Sequence, residues 1–192
     1  MKRLILPLAL MLASTPAFAH LNPTDHGSLA AGLSHPVFGL DHILAMVAVG
    51  LWAASLGNRD AIWILPTAFV ASMIAGFLSA LAGVAIPFVE PTILFSVFAL
   101  GLAVAFALKL PLDKAAGIVG IFGLFHGFAH GGEVGAAGLI AFGAGFVIST
   151  AFLHILGVLV AFATKRVLSG DKILKGLGWA TAIGGLWVMT GG

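Results

Sequence analysis

His126, His130 and Glu133 are the residues best placed to do chemistry in this chain. They lie in Phe125-His126-Gly127-Phe128-Ala129-His130-Gly131-Gly132-Glu133, a stretch otherwise apolar enough for a membrane interior. An ionisable group at bilayer depth costs about 2.5–3.5 kcal/mol on insertion scales, so it is a functional candidate by default. On a helix, positions i, i+4 and i+7 share a face. One helix would therefore present two imidazole nitrogens and a carboxylate oxygen in a column about 60° wide. That is a donor set for a divalent transition metal.

A second group occupies Ser34-His35-Pro36-Val37-Phe38-Gly39-Leu40-Asp41-His42. Ser34 or His35 can cap a helix whose first turn holds Pro36. His35 and His42 are seven apart and share a face if that helix is regular from His35 onward. Asp41 projects about 100° from His42. It can join a ligand set, or accept the N–H of a ligating imidazole from another helix.

The other histidines are more ambiguous. For His154, deep in an apolar run, two readings stand level: an inner station on a path, and a single histidine hydrogen-bonded between helices. His20 and His26 fall in a short polar segment with Asp25. An N-terminal His20 could chelate through its amine and ring, but solvated histidines are the plainer reading there. Asp60, Asp113 and Asp171 sit among basic loop residues and read as solvated charges.

The elements that must position these groups follow from composition. The chain has 192 residues, 60% hydrophobic and 8% charged, against about 25% charged in a typical soluble domain. So few charges cannot cover a water-exposed surface. The expected class is an all-α membrane protein of one domain, its lipid bilayer a necessary partner. No Cys is present, which excludes disulfides, thiolate metal sites and iron–sulfur clusters built by this chain. Any metal must be held by His nitrogen and by carboxylate or carbonyl oxygen.

Residues 1–19 read as a cleaved signal peptide: basic Lys2 and Arg3, an apolar Leu4 to Ser14, and the cleavage pattern Ala17-Phe18-Ala19. Residues 20–192 then form the domain. Without Lys2 and Arg3, seven basic residues face seven acidic ones, so the basic balance gives no reason to expect a nucleic-acid partner. Six apolar runs, about 36–56, 61–83, 91–109, 115–133, 138–163 and 174–190, approach the roughly 20 residues a crossing needs. With the mature N-terminus outside, alternation places Arg59, Lys109, Lys114, Lys165, Arg166, Lys172 and Lys175 on the cytoplasmic side, and Asp25, Glu90 and Glu133 outside. That satisfies the positive-inside rule. The expected location is a bacterial inner membrane, with both mature termini periplasmic.

Gly123, Gly127 and Gly131 recur every fourth residue in the fourth run. Such a ridge lets helices approach closely in lipid, and plain packing is its first meaning. Counting 1.5 Å per residue from the outer ends, Asp41 and His42 lie about 8–9 Å deep, His126 about 10 Å and His130 about 5 Å. If the first and fourth runs touch, they share one site just under the outer face. The residues alone leave two readings open: a metal site, or a buried polar network that ties helices together.

Two motifs carry a family resemblance. His35 through Asp41-His42 fits H-x5-D-H, and Phe125 through Glu133 fits F-H-G-x-[AV]-H-G-x-E. With the leader and six runs, the chain resembles the HupE/UreJ family of hydrogenase and urease accessory proteins, regarded as nickel permeases. The resemblance implies a metal-handling role for His35, Asp41, His42, His126, His130 and Glu133. It implies a non-enzymatic secondary transporter that carries Ni²⁺ inward, holds no permanent cofactor, and is linked indirectly to hydrogenase or urease maturation. A homo-oligomer is compatible with this. The same ligands suit Co²⁺, Cu²⁺ and Zn²⁺. Neutral imidazole is the binding form, so capture should weaken as pH falls toward about 6. No G-x-x-x-x-G-K-[ST] loop is present, so that route to ATP is closed. Two alternatives come from other classes: an intramembrane metal-dependent hydrolase, though H-E-x-x-H and G-x-S-x-G are missing, and a haem electron carrier with His130 and His154 as axial ligands.

Overall fold

A hydroxyl cap starts the first helix. Ser28 Oγ accepts the Ala31 N–H at 3.0 Å, satisfying one of the open donors of α1 (Leu29–Phe38). The computed structural model describes residues 28–133 and 138–191. The expected signal peptide, His20, Asp25 and His26 lie outside the described residues, as does the side chain of Glu133. After α1 come α2 (Leu40–Ser55), α3 (Ala61–Leu81), α4 (Val89–Ala105), α5 (Leu112–Glu133), α6 (Leu139–Thr164) and α7 (Gly170–Met189). The described residues contain no strand.

The sequence suggested one regular helix from His35 onward, capped at Ser34 or His35. The chain instead breaks at Gly39, which is extended at φ −88° and ψ 115°, and α1 meets α2 at 82°. Two local causes act together. Pro36 stands inside α1 and has no N–H to give the preceding turn. Gly39, a residue of low helix propensity, is where the helix stops. Helix α2 restarts at once, with the Ile43 N–H on the Gly39 carbonyl at 3.0 Å. Leu29, Leu33 and Val37 recur every fourth residue of α1, and all three are exposed. This stripe gives α1 an apolar face suited to the membrane interface.

Helices α3, α5 and α6 are long and apolar enough to cross a membrane, and the bent pair α1–α2 adds a fourth candidate span. The remaining two expected spans are weaker. Helix α4 has 17 residues, about 26 Å at 1.5 Å each. Helix α7 carries Asp171, Lys172 and Lys175 near its start. Large apolar side chains face outward along the spans, among them Ile121, Ile148, Phe152 and Ile155, as a lipid-facing surface requires. The protein is a helical membrane protein.

Glycines set the close crossings. A Cβ on Gly123, Gly127 or Gly131 would strike the carbonyls of Phe69, Met73 and Phe77, and one on Gly76 would strike the Leu124 carbonyl. The α5 ridge therefore packs on α3, and α3–α5 is the most extensive helix pair. Packing was the expected meaning of the ridge. Its partner, however, is not the helix that brings the other histidines. Those are placed by α6. A Cβ on Gly32 would meet the Phe142 carbonyl, and one on Gly145 the Leu29 carbonyl, which docks α1 on α6. Likewise Gly50 faces the His154 carbonyl and Gly157 the Val47 carbonyl, which docks α2 on α6.

One end of the bundle is basic. The Lys165 ammonium donates to the Ala54 carbonyl at 2.6 Å, and Lys109 donates to the Ser55 carbonyl. Both serve the open C-terminal carbonyls of α2, where positive charge is favoured. The Trp52 indole N–H reaches the Leu108 carbonyl at 2.9 Å. The clustered histidines lie at the opposite end of α2.

Candidate metal site

Three histidines converge where α1, α2 and α5 meet. His35 comes from the last turn of α1, His42 from the first turn of α2, and His130 from the last turn of α5. One nitrogen from each lies within 4.8 Å of the others. The shortest separation is His42 Nε2 to His130 Nε2, 2.6 Å. The His35 ring stands 4.3 Å from that of His130 and 5.6 Å from that of His42, centroid to centroid. His42 and His130 are buried and His35 is partly so.

The bend makes this convergence possible. Along a straight helix His35 would sit two turns from His42, about 10 Å away along the axis. Folding α1 over the end of α2 brings His35 back across the break. Measured from the start of α2, His42 is only about 3 Å in, shallower than the sequence indicated. His130 is about 5 Å from the end of α5, so the two stand level. Helices α2 and α5 make at most marginal backbone contact. Their meeting is made by imidazoles, with His42 Nε2 against His130 Nε2.

Asp41 takes a local position. Its Oδ1 lies 2.9 Å from Nδ1 of His42, its own neighbour, rather than against an imidazole from another helix. The Nδ1–H is not aligned on that oxygen, so a small turn of either group would complete the bond. A carboxylate there favours the tautomer with Nε2 bare, turned to His130, which is the usual outer-sphere arrangement for a metal-ligating histidine. Gly39 leaves room for it: a Cβ at Gly39 would come within 2.7 Å of His42 Nδ1 and 2.9 Å of Asp41 Oδ1.

His126 belongs to the same cluster one turn deeper on α5. Its ring centroid is 5.4 Å from that of His42. Its Nδ1–H donates to the Phe122 carbonyl at 2.9 Å, which leaves Nε2 as a bare, fully buried acceptor. It is not one of the three compact donors. Glu133 closes α5. His154, midway along α6, is fully buried and apart from the cluster.

Aromatic walls surround the imidazoles, and sequence reasoning missed them. Phe146 of α6 stands 4.8 Å from His130 and 6.4 Å from His42, ring to ring. Phe142, a turn away, faces His35 at 6.0 Å and stacks on Phe146. Phe69 of α3 packs on His126 at 5.3 Å and on His154 at 5.0 Å. In a chain with 15 Phe residues, nothing in the sequence singled these three out. These apolar walls lower the local dielectric around the donors.

The donor spacing suits a small transition-metal ion. Tetrahedral imidazole nitrogens about 2.0–2.1 Å from a metal stand about 3.3 Å apart. The observed 2.6 Å pair must open slightly and the wider separations, up to 4.8 Å, must close. Each ring needs a shift of about an ångström or less, within the reach of side-chain rotation.

Fold and pocket together define a helical membrane protein with a buried, histidine-lined site fit for a metal ion. The chain belongs to the HupE / UreJ protein family, whose model matches residues 8–188. It is 43% identical over 188 residues to Protein HupE of Rhizobium leguminosarum bv. viciae, covering 96% of this chain and 95% of that one. No solved structure matches it.

Proposed function

We propose that the protein is a secondary permease that carries Ni²⁺, or a similar divalent transition metal, from periplasm to cytoplasm for hydrogenase or urease maturation. The observation that carries this reading is the meeting of His35, His42 and His130 from three helices in one buried pocket. A hydrated dication cannot enter hydrocarbon. The three imidazoles would replace part of its water shell, with Asp41 offsetting charge and orienting His42. His126 stands behind them, and the family motif adds Glu133 as a further ligand candidate. Neutral imidazoles bind the ion and release it without a covalent step, so the protein acts as a carrier and not as an enzyme.

The proposed topology is six spans after a cleaved leader, in the inner membrane, with both mature termini periplasmic. Supporting it, two of the basic residues assigned to the inner face, Lys109 and Lys165, meet at the C-terminal end of α2. The histidine pocket lies at the other end. The break at Gly39 makes α1 a short arm over the outer end of the first span. Because that arm carries His35, its movement would open or complete the ligand set.

Uptake of radioactive nickel into proteoliposomes tests the reading. Wild-type protein should transport, and His42→Ala or His130→Ala should lower the initial rate at least tenfold while leaving the protein folded. Uptake equal to wild type in a His42→Ala, His130→Ala double variant would refute it.

A further inference from the structure

His154 has two ring nitrogens, both fully buried and both without a hydrogen-bond partner among the described residues. A histidine kept only for packing would normally be satisfied, because an unpaired buried polar group costs about 1–3 kcal/mol. Phe or Leu would fill the same volume without that cost. The ring is also held in place. A Cβ on Gly50 of α2 would collide with the His154 carbonyl, so the backbone at this point is locked into the α2–α6 crossing. Its neighbours Phe152 and Ile155 face outward, while the imidazole turns into the bundle.

The position is linked to the outer cluster by ring contacts. The His154 and Phe69 rings meet edge-to-face with centroids 5.0 Å apart, and Phe69 also packs on His126 at 5.3 Å. His126 in turn adjoins His42, and its Nε2 is likewise buried and bare. One turn outward on the same two helices, the Thr150 hydroxyl donates to Met73 Sδ at 3.7 Å, which puts a hydroxyl oxygen and a thioether sulfur inside the bundle. Donors are therefore spaced inward from the three-histidine pocket: His126, then Thr150 and Met73, then His154. A partly dehydrated cation passing between them would meet the Phe69 ring, whose face attracts cations.

We propose that His154 is a second, inner metal-ligating station, reached from the outer pocket through His126 and past Phe69. The ligand is the transported dication itself, and the proposal rests on the permease reading. Two weaker sites in series let an ion enter favourably and still leave. His154 thus has a transit role, and the outer three-histidine pocket sets capture.

Capture and passage can be measured apart. Wild type, His154→Phe and His154→Gln are compared in two assays: Co²⁺ binding by visible absorption in detergent, and Ni²⁺ uptake into proteoliposomes. Both variants should bind Co²⁺ at the outer pocket within about threefold of wild type, which also shows that they fold. Uptake should fall at least tenfold in His154→Phe and less in His154→Gln, whose amide oxygen still offers a donor. Uptake within twofold of wild type in both variants would overturn the proposal. Loss of Co²⁺ binding together with uptake in both would assign His154 to folding, and would overturn it as well. Wild-type protein that takes up no Ni²⁺ would defeat the permease reading, and this station with it.

Discussion

Gly39→Ala should separate the metal site from the fold. An ideal Cβ at this position lies 2.7 Å from His42 Nδ1 and 2.9 Å from Asp41 Oδ1. A relaxed contact needs about 3.5 Å, so the ring and the carboxylate must each retreat by about 0.6–0.8 Å. Metal–ligand distances tolerate only about ±0.2 Å. The variant therefore displaces one ligand within the cluster and disturbs its contact with the carboxylate partner. Loss of such a partner typically costs 10–100-fold in affinity, about 1.4–2.7 kcal/mol. The backbone is indifferent: φ −88° and ψ 115° suit any L-residue. Alanine also reduces the freedom of the unfolded chain, worth about 0.4–1 kcal/mol. Co²⁺ titration followed by visible absorption, with thermal melting by circular dichroism, reads both quantities. The expected result is at least tenfold weaker binding with an unchanged or slightly raised Tm. Affinity within threefold of wild type would show that Gly39, and the Asp41–His42 contact it accommodates, do not shape the site.

The remaining predictions concern packing, capping and linkage. Gly127→Ala drives a methyl group into the Met73 carbonyl and should destabilise the protein by about 1–3 kcal/mol. Gly117→Ala, on the same helix with open space around it, should be neutral or stabilising by up to about 1 kcal/mol. A detergent thermal-shift assay compares the two, and equal melting points would contradict the α3–α5 ridge. Lys165→Met removes the donor on the Ala54 carbonyl and should cost about 0.5 kcal/mol or less, since the site is exposed and screened. Its metal affinity should match wild type within twofold in the same titration. A dication at about 100 times its Kd should stabilise wild type by about 2.7 kcal/mol. That increment should vanish on chelation, and in a His42→Ala, His130→Ala double variant.

Much of the site was legible because its residues are costly where they lie. A histidine or aspartate in an apolar run must be explained, so His35, Asp41, His42, His126 and His130 could be singled out from type and spacing alone. The way they meet was less legible. Pro36 and Gly39 fit the opening of a helix as well as a break between two, and only the contacts of α1 with α6 decide for the 82° bend. The Gly123, Gly127 and Gly131 ridge announced a close crossing but could not name its partner, because α3 offers carbonyls and not a matching glycine pattern at Phe69, Met73 and Phe77. Phe69, Phe142 and Phe146 were invisible for the opposite reason. Phenylalanine costs nothing in a membrane segment, and nothing in the sequence separates a ring against an imidazole from one against lipid. For His154 the sequence leaves two readings level, and only the structure shows both ring nitrogens without a hydrogen-bond partner among the described residues.

X-ray absorption spectroscopy on the purified protein loaded with one equivalent of Zn²⁺ addresses the ligand set most directly. The expected first shell has about three imidazole nitrogens near 2.0–2.1 Å, with the multiple-scattering pattern of histidine rings. One imidazole should be lost in each of His35→Ala, His42→Ala and His130→Ala. A shell of oxygen donors with no imidazole scattering, or one unchanged by all three substitutions, would contradict the assignment of this pocket to a metal ion.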